Sequence, residues 1–99
     1  MVDLRRHQRT PIDLAVEFLV QGSDRRYPAV AKDVSIGGMF VETPVPLPFA
    51  TQLAILLPHP SGKPLVLPAV VRWTQAAGMG VQFGLLGARE THALTELAG

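Results

Sequence analysis

Residues 12–20 alternate without a break: Ile12, Leu14, Val16, Phe18 and Val20 share one parity, and Asp13, Ala15, Glu17 and Leu19 the other. A repeat of two sends every second side chain to the same face of an extended chain, so this stretch is a half-buried strand and not a helix. Weaker forms of the pattern recur down the chain. In 27–34, Val30 and Val34 fall on one face with Ala29 and Ala31 on the other, and in 39–43 Met39 and Val41 fall together. The run Leu53–Leu57 is apolar on both faces, as a buried strand is. Leu65, Leu67, Ala69, Val71 and Trp73 share a face, and Met79, Val81 and Phe83 alternate after them.

Turn chemistry separates these runs. Gln21–Arg26, Asp33–Gly38, Pro58–Gly62 and Gln75–Gly78 carry the Gly, Pro, Asp and Ser that bends use. Pro44, Pro46 and Pro48 mark a connection unable to donate ladder hydrogen bonds at those positions, and Pro68 implies a bulge or an edge position in its strand. From about Ala88 the period changes, with Leu86, Ala93, Leu94 and Leu97 on one side of a short helix and Arg89, Glu90 and Glu96 mainly on the other. Six short strands and then a helix predict an all-β domain with one C-terminal helix. Its architecture is a six-stranded antiparallel β-barrel over residues 12–99.

The chain has 99 residues, 47% of them hydrophobic, which is enough for one core without staples. It contains no cysteine, so it has neither disulfides nor thiolate metal sites, and it suits a reducing cytoplasm. No apolar run approaches the roughly 20 residues that cross a bilayer, and no apolar stretch follows the basic N-terminus as it does in a secretory signal. The net charge of +1 speaks against polyanion binding by the surface as a whole. A small barrel that binds single-stranded nucleic acid also needs exposed aromatics among its basic residues, which are missing here. Three basic residues are concentrated at Arg5, Arg6 and Arg9, in a polar stretch ending at Thr10-Pro11. Residues 1–11 therefore read as a flexible, arginine-rich arm.

Catalysis finds little support. His7, His59 and His92 are scattered, with no cysteines or paired acids at ligand spacing, so neither a metal nor a cofactor is expected. Ser35 is outside a G-x-S-x-G elbow and has no base supplied to it. The chain is not expected to be an enzyme.

Two polar clusters remain. The arm spaces Arg5 and Arg9 as R-x-x-x-R, and guanidinium can grip phosphate in a fork, pair with a guanine edge or stack on a base. The corner Asp33-Val34-Ser35-Ile36-Gly37-Gly38 offers a carboxylate able to accept from the N1–H and N2–H₂ edge of guanine, and a hydroxyl or turn amide able to donate to phosphate. Taken separately, the arm also suits a solvated tail, and the corner a turn that satisfies its own amides.

Together, Arg5-x-x-x-Arg9 and Asp33-x-Ser35-x-x-Gly38, one hairpin apart, resemble the paired signature of the PilZ domain family. The strand Gly38-Met39-Phe40-Val41, the strand Val70-Val71-Arg72-Trp73 and the close Gly80-Val81-Gln82-Phe83 extend the resemblance over essentially the whole chain. It implies a six-stranded barrel that binds the bacterial second messenger cyclic di-GMP and passes the signal to a partner protein. Arg5 and Arg9 would contact guanine and phosphate, with Arg6 a secondary phosphate contact and Asp33, Ser35, Gly37 and Gly38 forming the other side. Leu4, just before the first arginine, leans toward one bound ligand over a stacked pair. The arm would be mobile in the free protein and fold over the barrel mouth on binding. The alternative within the same family is a protein-docking module that does not use the nucleotide.

Overall fold

The alternating stretch is strand β1 (Thr10–Val20), and five more strands follow: β2 (Arg26–Val34), β3 (Gly38–Glu42), β4 (Gln52–Leu57), β5 (Leu65–Gln75) and β6 (Gly78–Phe83). A helix, α1 (Ala88–Ala98), ends the described part of this computed structural model, which covers residues 9–98. Neighbours run in the order β1-β2-β3-β6-β5-β4, and β4 pairs back onto β1, so the sheet closes on itself. Every pairing is antiparallel. Closure leaves no strand edge open to a stray partner.

The side chains that the period-two pattern turns inward fill the barrel. Phe18, Met39, Ile55, Leu57, Leu67 and Met79 are fully buried in one core with smaller Val and Ala residues. Helix α1 lays Leu94 into this core, with Ala93, Leu97, Ala98 and the preceding Leu86 beside it, as the 3.6-residue pattern predicts. Burying one such leucine is worth about 1.5–3 kcal/mol, enough to dock a short helix that water alone would not keep folded. The Thr10 hydroxyl donates to the Ala98 carbonyl at 2.8 Å, giving one of the helix's unpaired terminal carbonyls a partner.

Four local details depart from the sequence-based expectations. First, β1 begins at Thr10, which pairs with Val34, so Thr10 and Pro11 belong to the sheet and not to an arm. The remainder of the arm, including Arg5 and Arg6, lies outside the described residues. Second, the β2–β3 register shifts between Ala31 and Asp33. That shift turns Val34 inward with Ala29 and Ala31, away from the face of Val30.

Third, a shift between Val71 and Trp73 takes Trp73 out of phase with Leu65, Leu67, Ala69 and Val71, leaving it 44% exposed. A bulge puts two residues against one, and every side chain beyond it changes face. Fourth, Pro68 is not that bulge. It pairs in register with Ala54 of β4, and its carbonyl accepts from Gly84 just past the end of β6. The edge of Pro68 that lacks an N–H thus faces the place where β6 has already stopped, so no ladder bond is lost.

Candidate functional site

The corner between β2 and β3 is built around Ser35. The Gly37 and Gly38 amides donate to Ser35 Oγ at 3.1 and 3.2 Å, and the Ser35 amide donates to the Gly38 carbonyl at 2.9 Å. The residue is only 4% exposed. A hydroxyl surrounded in this way serves the turn and faces no base. Gly38 is needed for a different reason: a Cβ there would run into the Val81 carbonyl of the paired strand β6. The serine and the last glycine of the corner therefore hold β3 close to β6, while the Gly37 carbonyl accepts from the Phe83 amide.

Asp33, at the start of the corner, faces the other way. Its Oδ1 accepts from the Phe40 amide at 3.1 Å and from Arg9 Nη1 at 2.6 Å. Arg9 and Asp33 are thereby joined across 24 residues of sequence. Pairing the root of the arginine arm with the corner is what the two sequence clusters led one to expect.

On the outer face of β6 these groups border a cleft of about 450 Å³. Arg9, Ser35, Gly37 and Gly38 form one wall. Arg72 and Trp73 form the other, with Gly80, Val81, Gln82 and Phe83 beneath. Asp33 is bonded to Arg9 and, among the described residues, is not itself part of the lining. Of the residues singled out from sequence, Arg9, Ser35, Gly37 and Gly38 reach the cleft and Asp33 supports it.

The opposite wall went unanticipated as a site. Phe40 and Trp73 are both cross-strand partners of Gly80. Their rings stack at a centroid distance of 5.2 Å and an interplanar angle of 14°. Gly80 makes this possible, because a Cβ at that position would fall inside contact distance of the Trp73 indole. The bulge then turns the Arg72–Trp73 pair toward the cleft. A signal was present in the sequence: glycines at 78 and 80, alternate positions of one strand, leave a bare strip on which neighbouring aromatics can lie.

The chemistry of the cleft follows from this inventory. Arg9 and Arg72 bring two guanidiniums, and Arg72 has no ion-pair partner among the described residues. Trp73 brings a broad π face. Among the described residues no histidine, aspartate or glutamate lines the cleft. Among the described residues no group of three His, Cys, Asp or Glu is placed to hold a metal ion, and no helix is long and apolar enough to cross a membrane. Planar cations beside an aromatic face suit a ligand that carries both a flat base and an anionic phosphate.

Comparison with known proteins bears on the family and the fold. The family model described as PilZ domain matches residues 3–98. The PilZ domain of CeSA from a cellulose-synthesizing bacterium superposes with a TM-score of 0.72 at 22% identity, covering 92% of this chain and 94% of that one. The PilZ domain of YcgR from Escherichia coli, solved with c-di-GMP, gives a TM-score of 0.72 at 13% identity, covering 97% and 89%. Borreliella burgdorferi PlzA, solved in complex with c-di-GMP, gives 0.76 at 15% identity, covering 98% of this chain but 42% of that one. At such identities the structural likeness speaks for the fold alone. A search of curated proteins finds no match.

Proposed function

Because the chain belongs to the PilZ domain family, we propose that it is a non-catalytic receptor for cyclic di-GMP that passes the signal to a partner protein. One observation carries the proposal: Arg9, which is bonded to Asp33, shares a single cleft with Ser35, Gly37, Gly38, Arg72 and Trp73. The ligand has two guanines and two phosphates. A guanine can stack on the exposed Trp73 ring while Arg9 and Arg72 meet phosphate or the guanine O6/N7 edge. Four of the solved structures that share the fold hold this same ligand. Arg5, Arg6 and the rest of residues 1–8 would close over the nucleotide from the open side, at a cost in ordering entropy. Ser35, Gly37 and Gly38 give the corner the shape on which it rests.

Calorimetric titration with cyclic di-GMP, using GTP and single-stranded DNA as controls, tests the proposal. Saturable binding of the cyclic dinucleotide alone is the expected result. The sole tryptophan, Trp73, supplies a second readout, since a base stacked on it changes its emission. Losing a bidentate arginine–guanine contact costs about 1–3 kcal/mol by analogy with base readout in DNA, so Arg9→Ala should weaken binding on the order of tenfold to a hundredfold. Absence of binding by the unaltered protein would sink the receptor reading and leave the family's other role, a docking module that does not use the nucleotide.

A further inference from the structure

The barrel carries a second groove, of about 570 Å³, that shares no lining residue with the cleft. We infer that this groove is the surface by which the chain docks a partner protein, and that it takes an amphipathic helix whose aliphatic face is flanked by a lysine or arginine. The groove thereby gives the partner of the receptor reading a place and a chemistry; it rests on that reading for what the contact signals, not for the contact itself.

The groove opens where β2 outruns β3. Val30 is paired with Glu42, the last residue of β3, and residues 26–29 of β2 continue past it. β3 stops there because Pro44 follows shortly, with no N–H to extend a ladder. At this point the Thr43 amide donates to the Ala77 carbonyl at 2.9 Å and fixes the β5–β6 turn as one wall. Thr43 is only 2% exposed and its Oγ1 accepts from the Val45 amide at 3.2 Å, so that wall is formed before any partner arrives. The rest of the surface is bare. Ala15 and Val30 are cross-strand partners, Pro28 lies beside them, and the exposed Ala76 and Ala77 complete the lining.

Three features select the occupant. Pro28 in the overhang and Pro44 past the end of β3 both lack an N–H, so a strand laid here would find donors missing, and the groove accepts side chains instead. Along the strands the bare stretch is bracketed by two ion pairs, Lys32–Asp13 at 3.5 Å and Arg26–Glu17 at 3.2 Å, each neutral as a pair. The exposed Glu42 is the only charged side chain among the described residues that line the groove. An apolar floor inside a polar rim is the anatomy of a protein interface, and its one carboxylate is complementary to a cation. A further hollow of about 440 Å³ continues over Ala15, Val16 and Pro28 to the turn at 58–64. Aliphatic residues at i, i+3 or i+4 and i+7 enter two such hollows from one face of a helix.

Selection from a random peptide library displayed on phage, with inserts of about 15 residues, tests the assignment on the unaltered protein without nucleotide. The enriched peptides should share aliphatic residues at helical spacing with a Lys or Arg among them. As synthetic peptides they should shift the Ala15, Val30, Ala76 and Ala77 amides in ¹⁵N-resolved spectra and leave those of Gly80 and Gln82 in place. Ala77→Arg, at an exposed turn position outside the core, should weaken them by about tenfold or more. Glu42→Lys should weaken them roughly threefold to tenfold and favour counterparts in which Glu replaces the basic residue.

No enrichment, an acidic or proline-rich consensus, shifts confined to other faces, or affinity unchanged in both variants would overturn the inference. A second copy as occupant would overturn it too, and would show as shifts of the same amides on concentrating the protein alone, with a doubled mass in sedimentation. If the wild type binds no cyclic di-GMP while peptides still map to the groove, the receptor reading falls and the docking surface stands. Nucleotide binding without peptide binding condemns the docking surface alone.

Discussion

Ser35 spends its hydroxyl on the corner, and its value can be weighed at the level of one atom. Two amides, Gly37 and Gly38, rely on Oγ as their acceptor in a site almost closed to water. Leaving a buried donor without a partner costs about 1–3 kcal/mol, more than a typical hydrogen bond contributes net. Ser35→Ala should therefore lower unfolding free energy by roughly that amount, read from the urea midpoint at unchanged slope. It should weaken cyclic di-GMP binding only as far as the corner loosens, and Ser35→Thr should restore part of both. A variant with native stability but abolished binding would instead give the hydroxyl a direct ligand role. Gly38 is a companion case, since its missing side chain is what admits the Val81 carbonyl.

Strands carry information that single residues do not, and β5 and β6 show where it fails to appear in sequence. The alternation in 65–71 predicted the buried face correctly, because Leu65, Leu67, Ala69 and Val71 obey the pleat. Trp73 continued the same parity on paper yet points outward, because the bulge before it adds a residue that periodicity does not count. Lys32, inside the β2 irregularity, hid the inward turn of Val34 in the same way. The corner and the arginine were legible from residue types and spacing. The Arg72–Trp73 wall was not, since it depends on a register shift and on which strands adjoin β6. Gly80→Ala tests that wall. The new methyl meets the indole and not backbone, so the ring should swing off β6 and lose its stack on Phe40. Aromatic pairs contribute about 0.5–1.5 kcal/mol beyond their area, so a loss of that order is expected, with Trp73 emission shifted to the red. Unchanged emission and dinucleotide affinity would contradict the platform.

For the molecule as a whole, a closed sheet of 10.7 kDa with one core should unfold as a unit, so ligand binding must register as global stability. A ligand at one hundred times its dissociation constant adds about 2.7 kcal/mol, and each kcal/mol moves the melting temperature of a domain this size by roughly 4–8 °C. Cyclic di-GMP should thus raise it by on the order of 10–20 °C. The same ligand concentration should do little for Arg9→Ala if affinity falls toward a hundredfold. Calorimetric scanning with and without ligand checks both expectations. A wild-type shift that Arg9→Ala retains in full would detach Arg9 from the site.

The hydrogen bond from Thr10 to Ala98 spans 88 positions of sequence in a single contact. Whatever is joined ahead of Arg9 and whatever is joined beyond Ala98 leave the barrel from the same spot. Such a unit can be spliced into a loop of a host protein with almost no gap to bridge, and its own order can be rewired. A version opened in the exposed Ser61–Lys63 turn, with residues 1–8 serving as the new connection after position 98, should still melt cooperatively in a calorimetric scan. A broad, non-cooperative melt would count against it. In a rewired protein the new connection would lead directly into Arg9, at one wall of the cleft proposed to take the nucleotide.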